Sequence, residues 1–279
     1  MGKIVWIASY PKSGNTWMRA FLWNYFRDSG APGKLHDLSA FAVNESNPER
    51  YRQFTGDRSP TELSLEELAV IRPRVQESMA HSTGNVVFAK SHNYLGTFGD
   101  YPLYNFQVTG GAIYVVRNPL DVAVSMADHL GTTLDEAIAF MENEQTAGAM
   151  NDTGVAEFLS SWSVHVRSWT AQQHPNILVV RYEDMLSRPR KAFLSVLKLL
   201  NEPRDPKRLN RAMKLSSFQQ LRKQEAQQGF AERSEHSRRF FRSGRRDQWR
   251  TALSEQQIDR IIAAHRDQME RLGYLPRSR

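Results

Sequence analysis

The chain has 279 residues, 40 % of them hydrophobic and 24 % charged, with a formal net charge of +7 and no cysteine. That length holds one large α/β domain with a substantial core, and the lack of cysteine excludes disulfides and thiolate metal sites. No apolar run approaches the ~18 residues that span a bilayer, the first strand opens at Lys3 without room for a secretory leader, and a cytoplasmic protein is expected.

In chain order, an apolar strand over residues 3–8 runs into a turn holding Pro11, Lys12, Ser13 and Gly14, and an amphipathic helix follows over 16–27. Residues 30–61, inside a longer variable stretch 30–82, are polar and irregular and suit a mobile flap. Ser64 with Glu67 forms a capping box that opens a helix, which Pro73 should kink or split. A strand over 85–89 leads to Lys90, Ser91 and His92, and a third over 112–116 ends at Arg117. Pro119 suits the first position of a helix over 120–130, and Thr133 with Glu136 caps another. Trp162 and Trp169 read as one buried helix face, and a last strand spans 177–181. Helices over 189–200 and 255–272 complete the pattern, with a polar segment at 223–240 expected to be mobile. Alternating strands and helices imply one domain, a mainly parallel sheet flanked by helices on both faces. Ligands bind beyond the carboxyl ends of such strands, where the Lys12 and Arg117 turns fall.

The Lys12 turn aims unpaired backbone N–H groups at one point where the helix dipole favours an anion of phosphate size. Lys12 adds a cation, and Ser13, Asn15 and Thr16 add donors. A Walker A loop needs G-x-x-x-x-G-K-[ST], and here Lys12 precedes Gly14 with no earlier glycine in the turn. The turn is P-loop-like but too short to wrap a triphosphate as an ATPase does. Arg117 offers a rigid fork for a second phosphate, with Ser125 two turns into the following helix. An arginine there also suits carbonyl capping or pairing with Asp121. The positive excess concentrates late, in Arg233, Arg238, Arg239, Arg242, Arg245, Arg246 and Arg250. It fits a solvated face, a nucleic acid or a polyanionic small molecule. Zinc-finger spacing, a basic region with heptads and an RNP-like strand are all missing.

The run Tyr10-Pro11-Lys12-Ser13-Gly14-Asn15-Thr16-Trp17 resembles the 5′-phosphosulfate loop of the sulfotransferases that use 3′-phosphoadenosine 5′-phosphosulfate (PAPS). Arg117-Asn118-Pro119-Leu120-Asp121 with Ser125 is similar to that family's 3′-phosphate motif. Lys90-Ser91-His92 resembles its K-[TS]-H, Tyr182-Glu183-Asp184 its Y-E-D, Ser216-Ser217-Phe218 its T-S-F, and residues 242–249 its late R-K-G-x-x-G-x-W loop. Six motifs in the family's order make the resemblance strong, and the first of them looks most like bacterial members. Ser243 and Asp247 depart from the late motif, where the family carries lysine and glycine, so a looser clamp, or one compensated by Arg245 or Arg246, is expected.

The resemblance implies donor contacts from Lys12, Ser13, Gly14, Asn15, Thr16 and Trp17, and from Arg117, Ser125 and Tyr182. It adds Ser216, Ser217, Phe218, Arg242, Ser243 and Gly244 to that set, with Trp17 and Phe218 against adenine. It also implies PAPS as donor, PAP as product, no metal, and a hydroxylated small molecule as acceptor, without nucleic acid or membrane. His92 would be the base, Lys12 would steady the leaving oxygen, Lys90 would balance the sulfuryl group, and Ser91 and Tyr94 would meet the acceptor. In-line sulfuryl transfer then parallels phosphoryl transfer. Tyr94, Phe98, Tyr101, Tyr104 and Phe106 fit either an aromatic acceptor pocket or a packed loop, and His129 fits an approach to the acceptor or, as the favoured reading, a place on the surface. A P-loop kinase and a non-catalytic polyanion binder are the competing classes.

Overall fold

A computed structural model describes residues 2–82, 85–148 and 150–276. Its strands are β1 (Lys3–Ser9), β2 (Ala42–Asn44), β3 (Val86–Ser91), a short hairpin of β4 (Thr97–Phe98) and β5 (Tyr101–Pro102), β6 (Thr109–Val116) and β7 (Ile177–Arg181). Between and after them lie α1 (Asn15–Arg27), α2 (Leu38–Phe41), α3 (Leu65–His81), α4 (Pro119–Leu130), α5 (Leu134–Glu142) and α6 (Trp162–Thr170). The C-terminal part adds α7 (Tyr182–Ser187), α8 (Pro189–Leu199), α9 (Pro206–Leu215), α10 (Phe218–Gln228), α11 (Trp249–Ala252) and α12 (Glu255–Arg271). Among the described residues no helix is long and apolar enough to cross a membrane.

The main sheet has the order β2–β3–β1–β6–β7, and every pairing in it is parallel. Its strands are apolar on both faces, as helices on both sides require. Trp6, Ala8, Ala112, Tyr114 and Val116 join a core with α3, α4, α5, α6 and α12. Ile7, Ile113 and Val115 point the other way, into a core with α1, α8 and α9. Trp162 and Trp169 are both buried on α6, as their spacing implies.

Several elements differ from the sequence reading. Strand β6 begins at Thr109 because Thr109 and Gly111 pair with β1 at Ile4 and Val5, with the register shifting past Gly110, although the two glycines break the apolar pattern. Strand β2 lies inside the stretch expected to be irregular; three residues are too few to show a period, and pairing with β3 defines it. Helix α3 runs unbroken through Pro73. An interior proline costs about 3 kcal/mol, and α3 buries Leu68, Val75 and Met79 on both sides of it, each worth roughly 1.5–3 kcal/mol. The packing wins. Residues 223–228 form the end of α10, and Phe230, Phe240 and Phe241 beyond it pack on one another.

Behind the β3 end sits a buried ion pair between Glu45 and Arg72, both side chains fully inaccessible. Tyr51 Oη donates to Glu45 at 2.8 Å, Asn93 Nδ2 donates to it at 3.2 Å, and Arg72 donates to the Ala156 carbonyl at 2.6 Å. Removing one partner leaves the other charge uncompensated, which costs about 3–5 kcal/mol. Arg72→Met is therefore expected to lower the unfolding free energy by an amount in that range. Chemical denaturation checks it, and a loss under about 1 kcal/mol contradicts this role.

Candidate active site

The turn after β1 depends on two left-handed residues, Lys12 at φ 64° and Gly14 at φ 106°. A Cβ on Gly14 would lie 2.7 Å from the Tyr182 ring, so both the dihedral and the space require glycine. Gly14 gives α1 no side-chain cap, and this leaves its first N–H groups without that partner. Ser13 Oγ and Trp17 Nε1 are buried without hydrogen-bond partners. Trp17 packs edge-on to Tyr182 and Phe193. Lys12 lies over the Phe240 ring at 4.3 Å, and burial lowers its ammonium to about 8. Nearby Arg117 and Lys90 push in the same direction, while Asp128 and Glu232 oppose them.

At the end of β3, the His92 Nδ1 lies 2.7 Å from the Ser9 carbonyl and 3.3 Å from Ser9 Oγ. A carbonyl only accepts, so Nδ1 carries the proton and Nε2 keeps its lone pair. The backbone holds the ring from both sides: His92 N donates to Glu157 at 2.6 Å, and His165 Nε2 donates to the His92 carbonyl at 3.0 Å. Burial, then the charge of Lys90, hold the imidazole well below its usual range, which keeps it neutral. His129 also faces the site instead of the surface expected for it. Burial followed by Lys12 and Lys90 lowers it to about 4.

At the end of β6, Arg117 donates to the Lys12 carbonyl at 3.0 Å and to the Arg245 carbonyl at 3.5 Å, with its guanidinium 4.5 Å from the Tyr182 ring centre. Asp121 does not pair with it. That buried carboxylate accepts the N–H of Asp247 at 2.8 Å and of Trp249 at 3.2 Å, fixing the late loop to α4. Gly244, at φ 61°, sits flat on Phe218, where a Cβ would come within 2.3 Å of the ring. Asp247 takes φ 63°, which explains why glycine suits this position and why aspartate, tolerant of left-handed backbone, replaces it here.

One cavity of about 780 Å³ joins the three strand ends. Of the residues inferred from the sequence, Lys12, Gly14, Asn15, Thr16, Trp17, Lys90, His92, Arg117, Ser125, Tyr182, Phe218, Arg242, Ser243 and Gly244 line it. Ser13, Ser91, Tyr94, Ser216 and Ser217 do not. Ser91 Oγ turns into the core to Tyr104 at 2.9 Å, and Ser216 Oγ bonds the Ala212 carbonyl at 2.8 Å within its own helix end. Tyr94 Oη donates to the Thr97 carbonyl, and Ser217 is the N-cap residue of α10. Phe98, Tyr101, Tyr104 and Phe106 form no aromatic pocket: Tyr104 is core, Phe98 packs on Phe158, and Phe106 is 66 % exposed. Arg245 and Arg246 are not among the residues that line the cavity.

The site also uses residues that no sequence pattern marked. Glu157 holds the His92 backbone, Glu225 accepts the N–H groups of Phe240 and Phe241 at 2.6 and 2.9 Å, and Glu232 pairs with Arg19 at 2.6 Å. Burial raises the Glu232 carboxyl, but Arg19 and Lys90 outweigh it and hold it at about 2. Asp121→Ala strands two N–H groups and is expected to cost about 1–3 kcal/mol. Amide exchange at Asp247 and Trp249 should accelerate in that variant; unchanged exchange there would show that the loop is held otherwise.

The sulfotransferase domain family matches residues 3–273 of the chain. The chain is 27 % identical to luciferin sulfotransferase of Photinus pyralis over 270 residues, covering 90 % of this chain and 68 % of that protein. It is 24 % identical to flavonol 3-sulfotransferase of Flaveria bidentis over 274 residues, covering 92 % and 78 %. In fold it is similar to retinol dehydratase in complex with androsterone and PAP (TM-score 0.66, 18 % identity, covering 96 % of this chain and 80 % of that one). It is equally similar in kind to mouse sulfotransferase SULT7A1 complexed with PAP (TM-score 0.63, 18 % identity, covering 96 % and 84 %). A family match across nearly the whole chain, on a sheet whose carboxyl edge gathers the family's motifs, settles the assignment. The chain belongs to the sulfotransferase family and is a PAPS-dependent enzyme of it.

Proposed function

We propose that the enzyme transfers the sulfuryl group of PAPS to a hydroxyl group, or an amine, of a small molecule, with His92 as the base. The observation that carries this reading is a pair of recessed cations, Lys12 and Lys90, that face one cavity beside a neutral imidazole and form no ion pair among the described residues. Charges in such a place call for an opposite charge. A polyanion of the donor's kind supplies it, and the unpartnered polar atoms of Trp17 and Arg117, both in the cavity lining, fit the same ligand.

Lys12 and the first turn of α1 would hold the 5′ end, while Arg117, Ser125 and the Ser243–Gly244 backbone would hold the 3′-phosphate. Trp17, Phe218 and Tyr182 offer ring surface for the adenosine. The bound donor supplies an activated sulfuryl group with a phosphate as leaving group. His92 Nε2 takes the acceptor's hydroxyl proton, a role worth about 10²–10⁴-fold. Lys12 steadies charge on the leaving oxygen and Lys90 charge on the sulfuryl oxygens. Met126, Leu130, Phe140 and Leu159 line the cavity as well and would meet an apolar acceptor skeleton. The luciferin and flavonol sulfotransferases among the relatives are named for acceptors of that size class.

Transfer of labelled sulfur from PAPS to a pool of hydroxylated small molecules tests the activity. His92→Ala is expected to lose at least 10²-fold in turnover while keeping PAP affinity. Near-normal turnover in the variant would move the base elsewhere. The pH dependence of donor binding tests Lys12. Its ammonium, lowered to about 8 in the free protein, is charged below that pH and neutral above it, so PAP affinity should be level near neutrality and fall as pH rises past about 8. Lys12→Arg keeps its charge and should flatten that fall. An equally steep fall in the arginine variant contradicts a contact by Lys12.

A further inference from the structure

Arg19 lies on α1 directly behind the phosphosulfate turn and is only 1 % exposed. A guanidinium so placed needs a counter-charge. Its Nε donates to Asn15 Oδ1 at 3.0 Å and its Nη2 to Thr16 Oγ1 at 3.0 Å, but both partners are neutral. The charge comes from the far part of the chain: Glu232 Oε2 stands 2.6 Å from Arg19 Nη2 and also accepts from Thr16 Oγ1 at 3.3 Å. No other carboxylate pairs with Arg19 among the described residues.

Glu232 sits in the segment that leaves α10 at Gly229, lines the cavity from Glu232 onward and returns to α10 at Phe240. The return is tied by Glu225 to the N–H groups of Phe240 and Phe241, and by Ser237 Oγ to Asp128 at 2.9 Å. Between Phe230 and His236, Glu232 makes the only side-chain hydrogen bonds to elements outside the segment among the described residues. The same cluster reaches the base. Asn15, oriented by Arg19, donates to the Ile7 carbonyl at 2.8 Å and to Ser9 Oγ at 3.4 Å, and Ser9 receives His92.

We propose that Glu232 is a positioning residue for the donor, a latch whose ion pair with Arg19 docks the segment over the phosphosulfate turn. The latch sets Phe240 on Lys12 and delivers residues 241–244 to the 3′ end of the site, an inference that rests on the donor reading given above. Without it the segment opens, and donor binding bears the cost of closing it.

Two measurements on the whole chain test this. Glu232→Gln should weaken PAP binding about tenfold by calorimetry, the factor expected if the docked form falls to a tenth of the molecules. Glu232→Asp, charged but shorter, should recover part of that loss, and Glu66→Gln, at the exposed start of α3, should change nothing. In the ligand-free proteins, Glu232→Gln should speed amide exchange across residues 230–241 and leave β1 and α4 as they were. Unchanged or tighter PAP binding overturns the latch, the tighter result because it would make the carboxylate a competitor of the donor. Unchanged exchange overturns it too. Wild-type protein that fails to bind PAP overturns the donor reading, and the exchange arm then still decides the latch.

Discussion

The site exists because β1 lies between β3 and β6 in parallel. The register sets Ile7 beside Lys90, Ala8 beside Ser91 and Ser9 beside Val115. Three strands thus end together, and each end carries a cation: Lys12 in the turn after β1, Lys90 on the last residues of β3, Arg117 after β6. In an antiparallel sheet these turns would face opposite edges. Collecting them has an electrostatic cost, visible in the lowered ammonium of Lys12, and that cost is the same term that makes an anionic ligand favourable.

Around this edge, carboxylates shape the loops. Asp121 takes the backbone of the late loop, Glu225 takes Phe240 and Phe241, Glu157 takes His92, and Glu183 takes Asn118 N at 3.0 Å and Tyr274 Oη at 2.9 Å. None of them pairs with Lys12, Lys90 or Arg117. Negative charge is spent on backbone N–H groups, which are strong donors wherever they are buried. The three cations are left for a ligand. His92 follows the same logic, since the Ser9 carbonyl fixes its proton on one nitrogen and leaves the lone pair of the other free.

Much of this was legible in the sequence because the donor motifs are local. A strand, a Lys-Ser-Gly turn and a helix follow one another within fifteen residues, and Arg117 with Ser125 lies on one strand end and one helix. What escaped depends on distance or on orientation. The Arg19–Glu232 pair spans 213 residues, and neither side chain carries a pattern that points to the other. Ser91 was read as a site residue because it lies between Lys90 and His92, yet in a strand neighbouring side chains face opposite ways, and its hydroxyl belongs to the core. From sequence the surface is the favoured place for His129 over an approach to the acceptor, but its position on α4, one turn past Ser125, brings it to the cavity. The polar composition of residues 223–240 hid a helix end and a phenylalanine cluster, since the three rings pair only after the chain turns back.

A crystal structure with PAP tests the central claim most directly. The account predicts the 5′-phosphate at the first turn of α1 beside Lys12 and the 3′-phosphate against Arg117, Ser125 and the Ser243–Gly244 backbone, with His92 Nε2 facing the open side. PAP bound elsewhere, or with its two phosphates exchanged between these positions, would contradict it.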